Sequence, residues 1–118
     1  EDEVLILKSL EKLLSKKGHQ VLTTTSGLEA IKILEATTVD RIVCDLMLQD
    51  ISGFDIIENS KKFFSNDEIS EKFIIMTAYS SDQVLARASK YHCDFLKKPF
   101  YDINEALDLI TGKNEVSN

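Results

Sequence analysis

The amino-acid sequence predicts an α/β fold, a parallel sheet doubly wound by helices, and three observations predict it. Short apolar, β-branched runs alternate with segments of helical periodicity in the order α, β, α, β, α, β, α, β, α. The runs Ile42-Val43-Cys44 and Phe73-Ile74-Ile75-Met76 contain no polar residue, the pattern of strands covered on both faces. The 118 residues, 43% hydrophobic and 29% charged, suit one domain with one core, with no internal repeat, linker or low-complexity segment.

Each element has its own reason. Residues 3–17 place Ile6, Leu10, Leu13 and Leu14 at helical spacing with Lys8, Glu11 and Lys12 opposite, and Gly18 supplies the stop. Gln20 to Thr24 reads as a short β-branched strand. Ser26-Gly27-Leu28-Glu29 is a capping box that opens a helix to about Ala36, with Ala30, Ile31 and Leu34 inward. Asp40 to Asp45 is a strand that ends on a carboxylate, and residues 49–53 form a loop closing on Ser52-Gly53. A helix is expected from about Phe54 to Phe64, and the polar stretch Ser65 to Lys72 reads as a loop. Phe73 to Thr77 is the next strand, and Ser80-Ser81-Asp82-Gln83 caps a helix to about Lys90. Cys93 to Lys97 is the last strand, Asp102-Ile103-Asn104-Glu105 caps a final helix to about Thr111, and Gly112 ends it. The domain is thus expected over residues 1–112, with 113–118 a frayed tail.

Bulk properties exclude several function classes. A net charge of −6 disfavours nucleic acid as a direct partner and fits a cation site or a basic partner patch. No apolar run approaches the roughly 20 residues that span a bilayer, and the chain opens on acids rather than on a basic leader, so a cytoplasmic protein without membrane contact is expected. Cys44 and Cys93 sit in apolar runs and read as reduced packing thiols. His19 and His92 are expected at the surface, and the spacing of His and Cys offers no zinc motif.

The chemistry gathers at strand ends. Asp45, Thr77 and Lys98 each follow an apolar strand run, so a parallel sheet brings a carboxylate, a hydroxyl and an ammonium to one edge, where open α/β sheets bind ligands. Glu1 and Asp2 lead into the first helix and join that edge if a strand precedes them. Carboxylates so gathered call for a cation, and an oxygen-only donor set suits Mg²⁺. A carboxylate nucleophile with a hydroxyl and an ammonium to hold phosphoryl oxygens points to phosphoryl transfer onto an aspartate.

These segments together resemble the receiver domain of two-component response regulators. Glu1-Asp2-Glu3 resembles the family's acidic pair, Asp45-Leu46-Met47-Leu48 with Gly53 its phosphoacceptor segment, Met76-Thr77-Ala78 its switch-hydroxyl segment, and Lys98-Pro99-Phe100 its lysine–proline pair. The match runs over nearly the whole chain, and the ordered set of four motifs is far more specific than any one. The resemblance implies a flavodoxin-like strand order 2-1-3-4-5, with the first strand absent from residues 1–118 and supplied either upstream or by another chain. It implies that Asp45 accepts phosphate from the phosphohistidine of a sensor histidine kinase or phosphotransfer protein. Mg²⁺ would be bound by Glu1, Asp2, Asp45 and the backbone carbonyl of Met47. Thr77 would bond the phosphate, Ala78 would leave room for it, Lys98 would pair with it, and Phe95 would turn inward on activation. Partners, an output domain or a homodimer among them, would engage the surface around residues 81–111, built on the last two helices. A cis Lys98–Pro99 bond is also implied.

Some positions depart from the family pattern. Gln49 stands where proline is common, and Tyr91-His92 where Gly-Ala is usual, which is expected to reshape the output face. Bulky Met47 and Tyr79 could flank the phosphoryl group and hinder water. Blander readings stand beside the sharp ones: a core or capping Asp45, acids favouring a helix N-terminus at residues 1–2, a capping Thr77, a solvated Lys97-Lys98 pair, a plain core Phe95. The alternative functions are a degenerate receiver acting as a phosphorylation-independent binding module, and a metal-dependent phosphohydrolase. The latter is opposed by Met47, which fills the position where a second acid would be needed. On the leading reading the chain is a signalling phosphoacceptor and not an enzyme with an outside substrate.

Overall fold

The computed structural model describes residues 2–48, 50–78, 81–98 and 103–112. Along the chain run α1 (Asp2–Lys16), α2 (Gly27–Ala36), β1 (Ile42–Asp45), α3 (Gly53–Ser60), α4 (Asn66–Lys72), β2 (Phe73–Thr77), α5 (Asp82–Ser89), β3 (Asp94–Lys97) and α6 (Ile103–Thr111). The three strands form one parallel sheet in the order β1-β2-β3.

β2 is the centre of the molecule because all five of its residues are buried, with Phe73, Ile74 and Ile75 fully enclosed. Alternation along the strand sends its side chains to opposite faces. Phe73 and Ile75 join Leu34, Cys44, Phe54, Ile57, Ile69 and Ala88, so α2 to α5 cover one face. Ile74 and Met76 join Leu10, Leu14, Leu107 and Ile110, so α1 and α6 cover the other. Each fully buried Ile or Phe contributes about 1.5–3 kcal/mol, enough for this strand alone to anchor both layers.

Two expectations are corrected. Residues 65–72 are not a loop: Asn66–Lys72 is α4, closed at its start by a reciprocal capping box between Ser65 and Glu68. Ser-x-x-Glu was visible in the sequence, but the helix buries only Ile69, so no apolar stripe announced it. Gln20 to Thr24 is not a strand among the described residues. A strand needs a ladder partner, and a cavity of about 300 Å³ lies between residues 22–26 and β1, lined by Leu22, Thr24, Leu34, Val43 and Met76 among others. The outer edge of β1 therefore pairs with no strand among the described residues.

α3 ends at Ser60 rather than at Phe64, with Lys61, Lys62 and Phe63 turning back through i→i+3 bonds. The Tyr91-His92 turn has a physical solution that glycine is not needed for: His92 takes φ +56°, a left-handed geometry that His visits more readily than most residues. Tyr91 stacks on Phe54 with ring centroids 6.0 Å apart, and its hydroxyl donates to Glu58. That hydroxyl, followed by Lys61, holds the Glu58 carboxyl below its ordinary value, while burial, then Glu58, raises Tyr91. The turn is thereby tied to α3. Cys44 and Cys93 are free thiols, and burial pushes Cys44 up to about 12 and Cys93 to about 11. His19 and His92 are exposed.

The edge opposite the strand ends is held by a residue the sequence did not single out. Arg41 Nε donates to the carbonyl of Ile110 at 3.0 Å and Nη2 to that of Leu109 at 2.7 Å, while Nη1 donates to the carbonyl of Glu71. One guanidinium thus satisfies the ends of α6 and α4, where helix carbonyls lack internal partners and favour a cation. Arg41→Ala is expected to lower unfolding stability by about 1.5–3 kcal/mol, the scale of a hydrogen bond to a charged group, with Arg41→Lys recovering only part of it. Urea denaturation checks this.

Candidate functional site

The site is built by strand register. Asp45 is level with Met76, and Thr77 with Lys97, so the polar residues that end β1 and β2 and follow β3 emerge at one edge. Backbone bonds hold the edge flush: Leu46 N–H donates to the Met76 carbonyl at 3.2 Å, and Lys98 N–H to the Thr77 carbonyl at 3.1 Å. The apolar runs leave no polar group inside the sheet, so the chemistry begins where the strands stop.

Asp45 and Lys98 meet there. Lys98 Nζ lies 2.7 Å from Asp45 Oδ2, with the two residues only 7% and 9% exposed respectively. Asp45 Oδ1 accepts from the Met47 backbone N–H at 2.9 Å. A carboxylate in this position is tolerated because an ammonium and an amide compensate its lost hydration. Thr77 is fully buried at the end of β2, and Ala78, next along, is exposed. Met47 is 58% exposed, consistent with a side chain at the mouth of the site. Phe95 is half-buried and packs against the cluster beneath α2 to α5.

The structure therefore brings Asp45, Thr77, Ala78 and Lys98 to one edge. Asp2 opens α1, and its side chain lies outside the described residues, as do Glu1, Gln49, Tyr79, Pro99 and Phe100, and with them the expected cis bond. Residues 113–118 likewise lie outside them. Among the described residues no three His, Cys, Asp or Glu side chains gather as a metal cage. The Asp45 carboxylate at this edge is a hard oxygen donor, which fits Mg²⁺ and not a thiolate- or imidazole-seeking metal.

The loop after Asp45 is held at two points. Gly53 N–H donates to the Leu46 carbonyl at 3.2 Å, and a Cβ on Gly53 would fall 2.4 Å from the Asp45 carbonyl oxygen, so only glycine allows this return. The second hold is Asp50, a residue sequence reasoning missed. Its Oδ1 accepts from Gly27 N–H at 2.9 Å, and its Oδ2 from Ser26 Oγ at 2.8 Å and Leu28 N–H at 3.0 Å. These bonds, the backbone donors of Leu28 and Gly27 first, hold the Asp50 carboxyl well below the ordinary aspartate value. A depressed carboxyl adds stability that is present above about pH 4 and is lost as pH falls towards the lowered folded value. Asp50→Asn is expected to flatten that acid limb of a stability–pH curve, as read by chemical denaturation at stepped pH.

The family described as the response regulator receiver domain matches residues 1–111. The response regulator SaeR of Staphylococcus epidermidis is 32% identical over 101 residues, covering 85% of this chain and 42% of that protein. The match thus covers 42% of the length of these curated relatives. Among solved structures, the non-phosphorylated HemR receiver domain of Leptospira biflexa superposes with a TM-score of 0.79 at 26% identity, covering 100% of this chain and 90% of that one. The response regulator TrrA of Thermotoga maritima, in complex with Mg²⁺-BeF, gives 0.73 at 22% identity, covering 94% and 91%. No helix among the described residues is long and apolar enough to cross a membrane.

Proposed function

The chain belongs to the response regulator receiver domain family, and from that premise we propose that Asp45 is its phosphoacceptor in a two-component phosphorelay. The observation that carries the reading is the Asp45–Lys98 pair at 2.7 Å, beside the end of the strand that bears Thr77. An Asp45 oxygen attacks the phosphorus of a phosphohistidine on a sensor kinase or phosphotransfer protein. The O–P bond forms, the N–P bond breaks, and the imidazole leaves with its proton restored from solvent. Lys98 moves from the carboxylate to a phosphoryl oxygen, and the Thr77 hydroxyl donates to another, with Ala78 leaving space.

Asp45, the Met47 carbonyl and the acids Glu1 and Asp2 are the groups that would hold Mg²⁺, which when bound offsets the negative charge of the incoming phosphoryl group. TrrA, which shares the fold, is in complex with Mg²⁺-BeF, which supports Mg²⁺ as the cation. The product carries about −1.5 to −2 charges at neutral pH, and Lys98 and Thr77 are the groups that respond to it. Their strands lead directly into α5 and α6, so the surface of residues 81–111 repacks and engages an output domain, a second copy or another partner. The reading includes a strand between residues 20–24 and β1, as the order 2-1-3-4-5 requires, and the cavity there supports it.

Acetyl phosphate or beryllofluoride with Mg²⁺ tests the assignment. The parent is expected to respond, and Asp45→Asn to give no response. Equal responses would remove Asp45 from the role.

A further inference from the structure

We propose that Asp50 is a positioning residue for the acceptor loop, one that sets the affinity of the site for its divalent cation through the Met47 carbonyl. The proposal rests on the phosphoacceptor reading for its chemistry, but its geometry stands apart. The loop from Leu46 to Ser52 must present two groups at once, the Asp45 carboxylate and the Met47 backbone. Met47 N–H is bonded to Asp45 Oδ1 at 2.9 Å, which ties the Leu46–Met47 peptide to the carboxylate. The two ends of the loop are closed on each other by the Gly53-to-Leu46 bond. That closure fixes the base of the loop, while Leu48 and Ile51 pack against the core cluster.

Asp50 supplies what the closure lacks. Both of its oxygens are used, and they reach Ser26, Gly27 and Leu28, more than twenty residues away in sequence, while Oδ1 also accepts from Ile51 N–H at 2.9 Å. One carboxylate therefore caps the start of α2 and straps the loop to it. The approach is close: a Cβ on Gly27 would fall 2.4 Å from Ile51 Cγ1, so glycine at residue 27 is what lets the loop seat. Ser26 also caps its own helix through Glu29 N–H at 3.2 Å, so α2 keeps a cap when Asp50 is removed. Asp50 thus serves both elements: it satisfies the Gly27 and Leu28 N–H groups of α2 and ties the loop to them. Groups that orient a metal's oxygen donors commonly set affinity by ten- to a hundredfold.

The test titrates MgCl₂ into the parent, Asp50→Ala, Asp50→Asn and Ser65→Ala, following the Met47 and Leu48 backbone amides by NMR. Ser65→Ala removes the comparable cap of α4, away from the site. Asp50→Ala is expected to raise half-saturating Mg²⁺ by about tenfold and to speed amide exchange at Met47. Asp50→Asn, which keeps one oxygen acceptor, is expected to recover part of that affinity, and Ser65→Ala to bind as the parent does. Unchanged Mg²⁺ affinity in Asp50→Ala would overturn the proposal, as would an equal loss in Ser65→Ala or a parent that does not respond to Mg²⁺. A parent that binds Mg²⁺ in this pattern yet takes up no phosphoryl group would overturn the phosphoacceptor reading and leave the positioning role standing.

Discussion

Replacing Lys98 with Met is expected to cut phosphoryl uptake from acetyl phosphate by about a hundredfold and to lower stability by about 3 kcal/mol. The first figure is the usual cost of removing one preorganised group that meets developing charge. The second follows from the pair itself. With both side chains under a tenth exposed, deleting the ammonium leaves the Asp45 carboxylate poorly hydrated, and breaking one partner of a buried pair costs about 3–5 kcal/mol. The position at a sheet edge, where some water reaches, favours the lower end. Met keeps the apolar stem of the lysine, so the loss reports on charge and not on a cavity. The two effects separate by a second replacement. Asp45→Asn together with Lys98→Met removes both charges, and its stability is expected to recover towards the parent's while uptake stays absent. Urea denaturation and intact-mass measurement read the two arms. If Lys98→Met alone is as stable as the parent, the pair is solvated and its role in holding the carboxylate is lost.

The second large effect concerns the edge of β1 that pairs with no strand among the described residues. A run of five β-branched apolar residues joined ahead of Glu1 is expected to raise Tm by about 10 °C. The cavity is lined by residues 22–26 and by β1, with Leu7, Ile33, Leu34 and Met76 among its apolar residues. Only a peptide strand offers both apolar side chains to the walls and N–H and C=O groups to the two backbones. Burial of five such side chains at about 1.5–3 kcal/mol each outweighs the ordering of their backbone at about 1–2 kcal/mol per residue by a few kcal/mol. At about 4–8 °C per kcal/mol for a domain near this size, the shift is easily measured. Amides of residues 20–24 and of β1 should become slow to exchange. The same run with a central proline, which cannot complete the ladder, should give neither effect. Equal Tm for the two fusions would show that the slot does not take a strand.

Particular residues explain what could be read from the sequence. Asp45 and Lys98 were legible because an apolar, β-branched run that stops on a charge leaves that charge at a sheet edge, whatever the rest of the chain does. The parallel sheet was legible because the run Phe73 to Met76 has no polar residue on either face. The strand expected at Gln20 to Thr24 was misread because β-propensity describes the segment and says nothing of whether a ladder partner lies beside it. α4 was missed because one buried residue, Ile69, makes no periodic stripe, although its Ser65–Glu68 cap was in view. Arg41 and Asp50 were missed for a deeper reason. Each acts through bonds to backbone atoms of distant segments, and such bonds leave no spacing in the sequence to find.

Borohydride trapping decides whether Asp45 becomes an acyl phosphate. The chain is treated with acetyl phosphate and Mg²⁺, reduced with borohydride, digested and mapped by mass spectrometry. The predicted result is conversion of Asp45 alone to homoserine, abolished when either the phosphoryl donor or Mg²⁺ is withheld. Conversion at any other acid, with Asp45 intact, would contradict the account.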